Sequence, residues 1–370
     1  MVKTQKAAQE TRKRRGRQAV CFVVCFMLMA VVAISRDGKL FGIHIPKEGE
    51  EEESVEAMTV GDDGTVIINT TPLTKNIIGF SGTTPVEITV SDNRITKVKP
   101  LDNNETPEFY GAVVNSDLLD SWNGKTLEEA AKIHPDATTG ATITSTALIR
   151  NVEAGIGYAL NTPIAKSDSF SGAHLDFKFF CVIAIILAAS ILPLLLKGKL
   201  YRYIQLTLNV ILLGFWGGTF ISYSLMTSLM ANGIKTWLMI PVLIMLVTAF
   251  LYPFFGKNNY YCSWICPYGS LQELAGKCIP FKLKISARTA KTLSWTRDAL
   301  WFLLMWFMWT GLWFDWMDWE PFAAFFFQDA SPIVLGIAGG FFLLSFVIRR
   351  PYCRFVCPTG TLFKISEGLK

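Results

Sequence analysis

Two short segments carry residue types and spacings from which chemistry could be built. Asp136-Ala-Thr-Thr-Gly-Ala-Thr142 places hydroxyls where an apolar-periodic helix begins. Apolar residues recur at helical spacing from Ile143 through Ala147, Leu148, Val152, Ile156, Ala159 and Leu160, so 143–160 reads as an amphipathic helix. Thr139 or Thr142 would then stand near its N-cap. Free backbone N–H groups and the positive end of the helix dipole favour an anion there, and Gly140 and Ala141 leave room for a phosphate to approach the backbone. An ordinary threonine-rich cap has the same appearance, so the segment alone does not separate the two.

The second segment occurs twice. Tyr261-Cys-Ser-Trp-Ile-Cys-Pro-Tyr-Gly-Ser-Leu271 and Tyr352-Cys-Arg-Phe-Val-Cys-Pro-Thr-Gly-Thr-Leu362 agree at tyrosine, both cysteines, proline, glycine and leucine. Each copy follows the second helix of an expected hairpin, so two such units would bring Cys262, Cys266, Cys353 and Cys357 together at one membrane surface. Four thiols in a reducing compartment read as ligands, not disulfides. Tetrahedral sulfur suits zinc or an iron–sulfur cluster, and cysteine followed by proline is how bacterial ferredoxin runs end. Cysteines four apart on a helix face could equally act as a redox dithiol. Cys21, Cys25 and Cys181 lie in or beside apolar runs and read as small buried hydrophobes, with Cys278 a spare thiol on the same side as the repeats.

The elements that must position these segments are dominated by apolar runs. The chain of 370 residues is 51% hydrophobic and 13% aromatic, a composition suited to a protein that is partly in a membrane. One run, 19–35, follows the basic tail 1–18 and reads as an uncleaved anchor, with a cleaved signal peptide as its rival. Five more lie near 179–196, 204–230, 237–255, 299–314 and 332–348, several close to the lower length limit for a span. The fold class expected is an α-helical membrane protein of about six transmembrane helices with an exported α+β domain at 64–165, an acidic linker at 36–63, and a five-helix membrane domain at 177–370. Strands are expected near 64–70, 84–90 and 94–100, the last two joined by a turn at Ser91-Asp92-Asn93.

Charge sets the orientation. Residues 1–18 hold seven Lys/Arg and one acid, and 256–298 hold seven and two, whereas 36–176 hold 11 against 22 Asp/Glu. Positive-inside logic puts the N-terminus, the 256–298 loop and the C-terminus in the cytoplasm and the α+β domain outside. The net charge of +5 is an average over two opposite faces and gives no reason to expect nucleic-acid binding. Glu48-Gly-Glu-Glu-Glu-Glu53 reads as a solvated linker.

Asp-x-x-Thr-Gly-Ala-Thr resembles the flavinylation motif of the FMN-binding domain in flavin subunits of ion-pumping NADH:quinone and ferredoxin:NAD reductases. The resemblance implies that a FAD:protein FMN transferase joins FMN through its phosphate to Thr142, with Asp136, Thr139, Gly140 and Ala141 completing the motif. It extends upstream through Gly79-Phe-Ser-Gly-Thr83 and Glu105-Thr-Pro-Glu-Phe-Tyr110, implying flavin contacts from Ser81, Glu105 and Thr106. Glu108 and Phe109 depart from it, standing where glycine is more usual. With six spans and paired C-x-x-x-C-P motifs, the chain resembles the membrane flavoproteins that accompany nitrous oxide reductase (NosR type) and reductive dehalogenases (PceC/RdhC type). No C-x-x-C-x-x-C-x-x-x-C-P run is present, so a built-in ferredoxin is not expected.

The resemblance implies a bacterial cytoplasmic-membrane flavoprotein with covalent FMN and a possible [4Fe-4S] cluster on Cys262, Cys266, Cys353 and Cys357. It would pass electrons between a cytoplasmic donor, or the quinol pool, and an extracytoplasmic reductase. An electron-transfer component is expected more than a stand-alone enzyme; the alternative is a redox-sensing assembly or regulatory protein for a partner reductase. Membrane lipid and quinone are the remaining expected partners. A haem carrier is not expected, because His44, His134 and His174 all fall outside the spans. The tryptophans from Trp295 to Trp319 read as span-end and packing residues, and Asp315, Asp318 and Glu320 as an outer rim.

Overall fold

The computed structural model describes residues 2–45, 56–61, 64–138, 141–161, 177–196, 198–234 and 236–368. The Glu48–Glu53 block, Thr139, Gly140 and His174 therefore lie outside the described residues. Helix α1 (Val2–Asp37) runs without a break through the basic tail and the first apolar run. At about 1.5 Å per residue it is roughly 54 Å long, well beyond an apolar layer of ~30 Å. Cys25, Met29, Val32 and Ala33 are buried on one side, while Val20, Val23, Met27 and Val31 are exposed on the other.

The expected linker 36–63 is not featureless. β1 (Lys39–Leu40) and β2 (Ile43–His44) form a hairpin whose Phe41 and Gly42 N–H groups donate to Met230 and Ala231 carbonyls. β3 (Met58–Val60) begins an antiparallel sheet, β3-β4-β5-β6, ahead of the boundary expected at 64. β4 (Val66–Asn69), β5 (Val86–Ser91) and β6 (Arg94–Pro100) match the expected strands closely. Asp92 and Asn93 both have positive φ, 50° and 58°, the geometry of a tight hairpin turn. In β5 every second residue is buried, and Ile88 packs against Gly155, where a Cβ would meet its Cδ1 at 2.7 Å. The helices of this domain are α2 (Pro107–Val114), α3 (Leu127–Ala130) and α4 (Thr142–Ala159). α3 opens on a capping box in which Thr126 and Glu129 satisfy each other's backbone N–H.

The membrane part comprises α5 (Phe177–Leu195), α6 (Lys199–Leu208), α7 (Tyr223–Asn232), α8 (Ile240–Leu251), α9 (Tyr260–Trp264), α10 (Pro267–Cys278), α11 (Ala287–Thr310), α12 (Pro332–Ser345), α13 (Pro351–Phe355) and α14 (Pro358–Ser366). Among the described residues three helices, Arg12–Asp37, Phe177–Leu195 and Trp237–Phe255, are long and apolar enough to cross a membrane. The run expected to span at 204–230 is broken. α6 passes into a π-helical stretch, Asn209–Trp216, and the chain then turns at Gly217-Gly218 before α7. Gly218 has φ +57°, and a Cβ on Gly217 would sit 2.7 Å from the Leu212 carbonyl. Buried polar groups fix the irregular stretch: Gln205 donates to Asn209, which donates to the Trp264 carbonyl (2.7 Å) and Ser270 Oγ (3.1 Å). Irregular backbone at this depth is tolerated because its polar groups are satisfied inside the protein.

Candidate functional site

Thr142 is the first residue of α4, next to the N-cap as expected; the N-cap itself is Ala141, which provides no side-chain cap. Thr142 instead lines an apolar slot between the two halves of the protein. Phe80, Phe109 and Ala141 form the α+β side, and Phe179, Val182, Gly217, Pro241 and Val242 form the membrane side. Lys178 also lines it, its Nζ 5.8 Å from the centre of the Trp216 ring. The slot encloses about 70 Å³. That is far below the roughly 300–1,000 Å³ of a pocket that engulfs its ligand. Three aromatic side chains, Phe80, Phe109 and Phe179, line it beside Thr142.

The other residues expected to touch flavin have structural employment. Glu105 is buried and accepts from the backbone N–H groups of Phe80, Ser81 and Gly82 and from the Thr144 hydroxyl, at 2.8–3.1 Å. Burial pushes its carboxyl up, against the pull of those hydrogen bonds. The result is a clamped loop that fixes Phe80 at the slot. A Cβ on Gly79 would lie 2.6 Å from the Glu105 carboxylate, so the glycine there is a steric requirement. Ser81 belongs to the seam between domains: its hydroxyl bonds Ser224 Oγ and accepts from Arg36 Nη2 at 2.8 Å, while the same nitrogen donates to the Asn104 carbonyl at 2.7 Å. Thr106 is buried at the start of α2, and Asp136 is exposed.

Glu108 and Phe109, the departures from the family pattern, both face inward. Phe109 packs on Phe80 with ring centres 4.4 Å apart, and on Phe220 at 5.9 Å. Glu108 is 2% exposed, and burial raises its pKa. Its neighbour Asp318 is pushed up to about 7 by burial first and then by Glu108, against the attraction of Arg36. Of the three acids expected at an outer rim, Glu320 departs: it is buried, accepting from the Tyr223 N–H and from Thr359 Oγ1 beside the second cysteine motif.

The two cysteine motifs have the same build. A residue in the left-handed region, Asn259 (φ 52°) or Arg350 (φ 47°), precedes a five-residue helix, α9 or α13. The second cysteine then caps the next helix, its sulfur accepting from the glycine N–H three residues on: Gly269 to Cys266 at 3.4 Å, Gly360 to Cys357 at 3.2 Å. Proline at the first position of α10 and α14 forgoes an N–H that the helix would leave unpaired anyway. The left-handed residues tie the copies together. Arg350 Nη1 donates to the Cys262 carbonyl (3.3 Å) and Ser263 Oγ (3.2 Å), and the Asn259 N–H donates to Glu367. Glu273 on α10 adds a knot, accepting both guanidinium nitrogens of Arg202 at 2.7 and 2.9 Å and pairing with Arg350 and Lys277.

The two motifs face each other: Cys262 and Cys353 line one cavity, and Arg350, three residues before Cys353, donates to the Cys262 carbonyl. Two of the four thiols, Cys262 and Cys353, stay partly accessible, and the other two lie deeper. Cys266 and Cys357 are buried at 2% and 4% exposure, and α14 packs along α1, where the Cys25 thiol donates to the Leu362 carbonyl. Among the described residues no three His, Cys, Asp or Glu come close enough to hold a single metal ion. Four cysteine thiols are a donor set for an iron–sulfur cluster as well as for zinc. Two backbone N–H groups aimed at sulfur, each at a helix start, suit an anionic centre. Cys278 closes α10 at its far end, about 18 Å from Cys266 along the axis, too far to be a ligand.

One packed aromatic seam joins slot and cysteines. Phe220 contacts Phe322 at 5.5 Å, and Phe322 contacts Tyr268 at 6.2 Å and Tyr352 at 6.4 Å, residues beside Cys266 and Cys353 in the chain. Among the tryptophans, Trp295, Trp306 and Trp319 are exposed as expected of lipid-facing residues, while Trp301 and Trp316 pack on Tyr223. His44 and His134 are exposed, the latter 3.0 Å from Glu153. Sequence reasoning missed Phe220, Phe322 and Lys178; a lysine beside an apolar run was the available signal for the last.

Residues 79–157 match the FMN-binding domain family, and residues 238–286 with 330–369 match the 4Fe-4S binding domain family. The chain thus carries both domains, each around one of the two sites. It is 29% identical to Protein NirI of Paracoccus denitrificans (strain Pd 1222) over 153 residues, 37% of this chain and 21% of that protein. The chain therefore spans about a fifth of the length of that relative. No solved structure matches it.

Proposed function

We propose that this chain is a membrane-bound electron-transfer flavoprotein with FMN joined through its phosphate to Thr142 and a [4Fe-4S] cluster on Cys262, Cys266, Cys353 and Cys357. The observation that carries the reading is the seam: the slot at Thr142 and the cysteine hub are walls of one buried core, linked by Phe109, Phe220 and Phe322. FMN, when bound, exchanges one or two electrons, and an iron–sulfur cluster one. The protein's own residues do the rest. Phe80 and Phe109 cover the ring edge, the Glu105 clamp holds Phe80 in place, and Gly269 and Gly360 donate to sulfur.

About six spanning segments, with both termini in the cytoplasm and the FMN-binding domain outside, agree with the charge asymmetry between 36–176 and the flanking loops. Maturation then requires an exported FMN transferase, and the electron acceptor is an extracytoplasmic reductase. The test is denaturing electrophoresis. A flavin-fluorescent band is expected for the wild type and none for Thr142→Ala; a fluorescent Thr142→Ala band refutes the attachment. Electron paramagnetic resonance with iron analysis on anaerobically purified protein tests the cluster, which silence with no iron removes.

A further inference from the structure

The face opposite the FMN-binding domain opens into a cavity of about 680 Å³ with Cys262 and Cys353 in its wall. Its lining contains no aliphatic or aromatic side chain. Six cations surround it, Arg202, Lys277, Arg349, Arg350, Arg354 and Lys364, against one carboxylate, Glu273. That carboxylate is already shared by Arg202, Lys277 and Arg350. Arg349 and Arg354 stand exposed at the rim, so the mouth carries a positive field.

The geometry points to this vestibule as the docking site of an acidic soluble one-electron carrier protein, a reduced iron–sulfur or flavin carrier. The inference rests on the proposed function, since it needs the cysteines to hold the cluster. A quinol is a poor occupant, because the apolar surface of this cavity is supplied by arginine and lysine stems whose charged heads crowd the space, and no aromatic side chain lines it to stack on a quinone ring. A nicotinamide nucleotide is a poor one too: it delivers a hydride, and the cavity presents a one-electron centre with no hydride acceptor. For the carrier the balance is simple. One electron leaves its reduced centre, one arrives at the cysteine-held cluster, and no bond or proton is exchanged. Positive rim and negative partner steer encounter, an effect worth 10- to 1,000-fold in on-rate at low salt and weakened as the screening length falls below about 10 Å.

The test uses the full chain in lipid nanodiscs and an acidic two-iron ferredoxin, oxidised, as the binding probe. Saturable binding is expected at low salt, falling steeply with ionic strength and at least tenfold in Arg349→Glu/Arg354→Glu, with Arg349→Lys/Arg354→Lys retaining it. No binding by the wild type, or equal binding by the charge-reversed variant, overturns the proposal. Iron content and denatured-band flavin fluorescence of the same samples report separately on the proposed function.

Discussion

The repeat supplies its own control. Gly269 and Gly360 occupy the same place in the two motifs, three residues after the capping cysteine, yet their surroundings differ. A Cβ on Gly269 would lie 2.6 Å from the Cys262 backbone carbonyl and 3.5 Å from Cys266 Cβ. On Gly360 the nearest atoms would be Cys357 Sγ at 3.4 Å and Cβ at 3.5 Å, with the Cys353 carbonyl at 3.6 Å. The first contact is with backbone, so no rotamer relieves it, and α9 must move relative to α10; overpacking of this kind costs about 1–3 kcal/mol. Alanine for glycine in a helix returns up to ~1 kcal/mol at both positions. Gly269→Ala is therefore destabilising on balance while Gly360→Ala is neutral or slightly stabilising. The gap of about 2 kcal/mol corresponds to roughly thirtyfold in the equilibrium between assembled and opened motif. Iron per polypeptide and the reduced-state paramagnetic signal, read on anaerobic preparations, should fall sharply for Gly269→Ala and hold for Gly360→Ala. Equal iron loss in both, or greater loss in Gly360→Ala, refutes the steric reasoning.

Two further outcomes follow from the seam between the domains. Arg36→Met leaves Ser81 Oγ and the Asn104 carbonyl without their shared donor; hydrogen bonds to a charged group contribute about 1.5–3 kcal/mol. Faster amide exchange is expected across Phe80–Gly82, and unchanged exchange would show that the guanidinium does not hold the domains together. Asp318, raised from 3.8 to about 7, favours the folded state in its neutral form. Its stabilising effect is full below pH 4 and lost as pH rises through 7, with an upper bound near 4 kcal/mol before solvent relaxation reduces it. Asp318→Asn should therefore raise the thermal midpoint relative to wild type at pH 8 and change it little at pH 4; a pH-independent difference contradicts the assignment.

Local patterns made the FMN-binding domain legible. Alternation at Val86–Val90 and the Ser-Asp-Asn turn marked the hairpin, and helical periodicity placed α4 within one residue. The run 204–230 misled because hydropathy averages over a few polar positions. Gln205, Asn209 and Gly217-Gly218 interrupt the helix, and the polar pair was the signal, since buried groups of that kind need partners. The roles of Ser81 and Glu105 were unreadable for another reason. Their partners, Arg36, Ser224 and Thr144, lie 45, 143 and 39 residues away, and local spacing says nothing about contacts at that separation.

The depth of the cysteines changes how the two redox domains relate. With no histidine expected inside the spans, the sequence offers no haem to link the two sites and leaves quinone, a partner subunit or no link at all. The fold instead raises the hub toward the slot, and Phe322 touches both Phe220 and the tyrosines of the motifs. A quinone seated between them would have to displace side chains that are 2% exposed or less at Phe220, Phe322 and Tyr268. Direct exchange through packed protein is the more economical arrangement, and Phe322→Leu tests it. Truncation to alanine would cost about 3–5 kcal/mol and confuse rate with unfolding, whereas leucine keeps most of the volume. With flavin fluorescence and iron content intact, the variant should show slower equilibration between the flavin and cluster signals after partial reduction. Equilibration at the wild-type rate would leave the seam as packing alone and return the crossing to a mobile carrier.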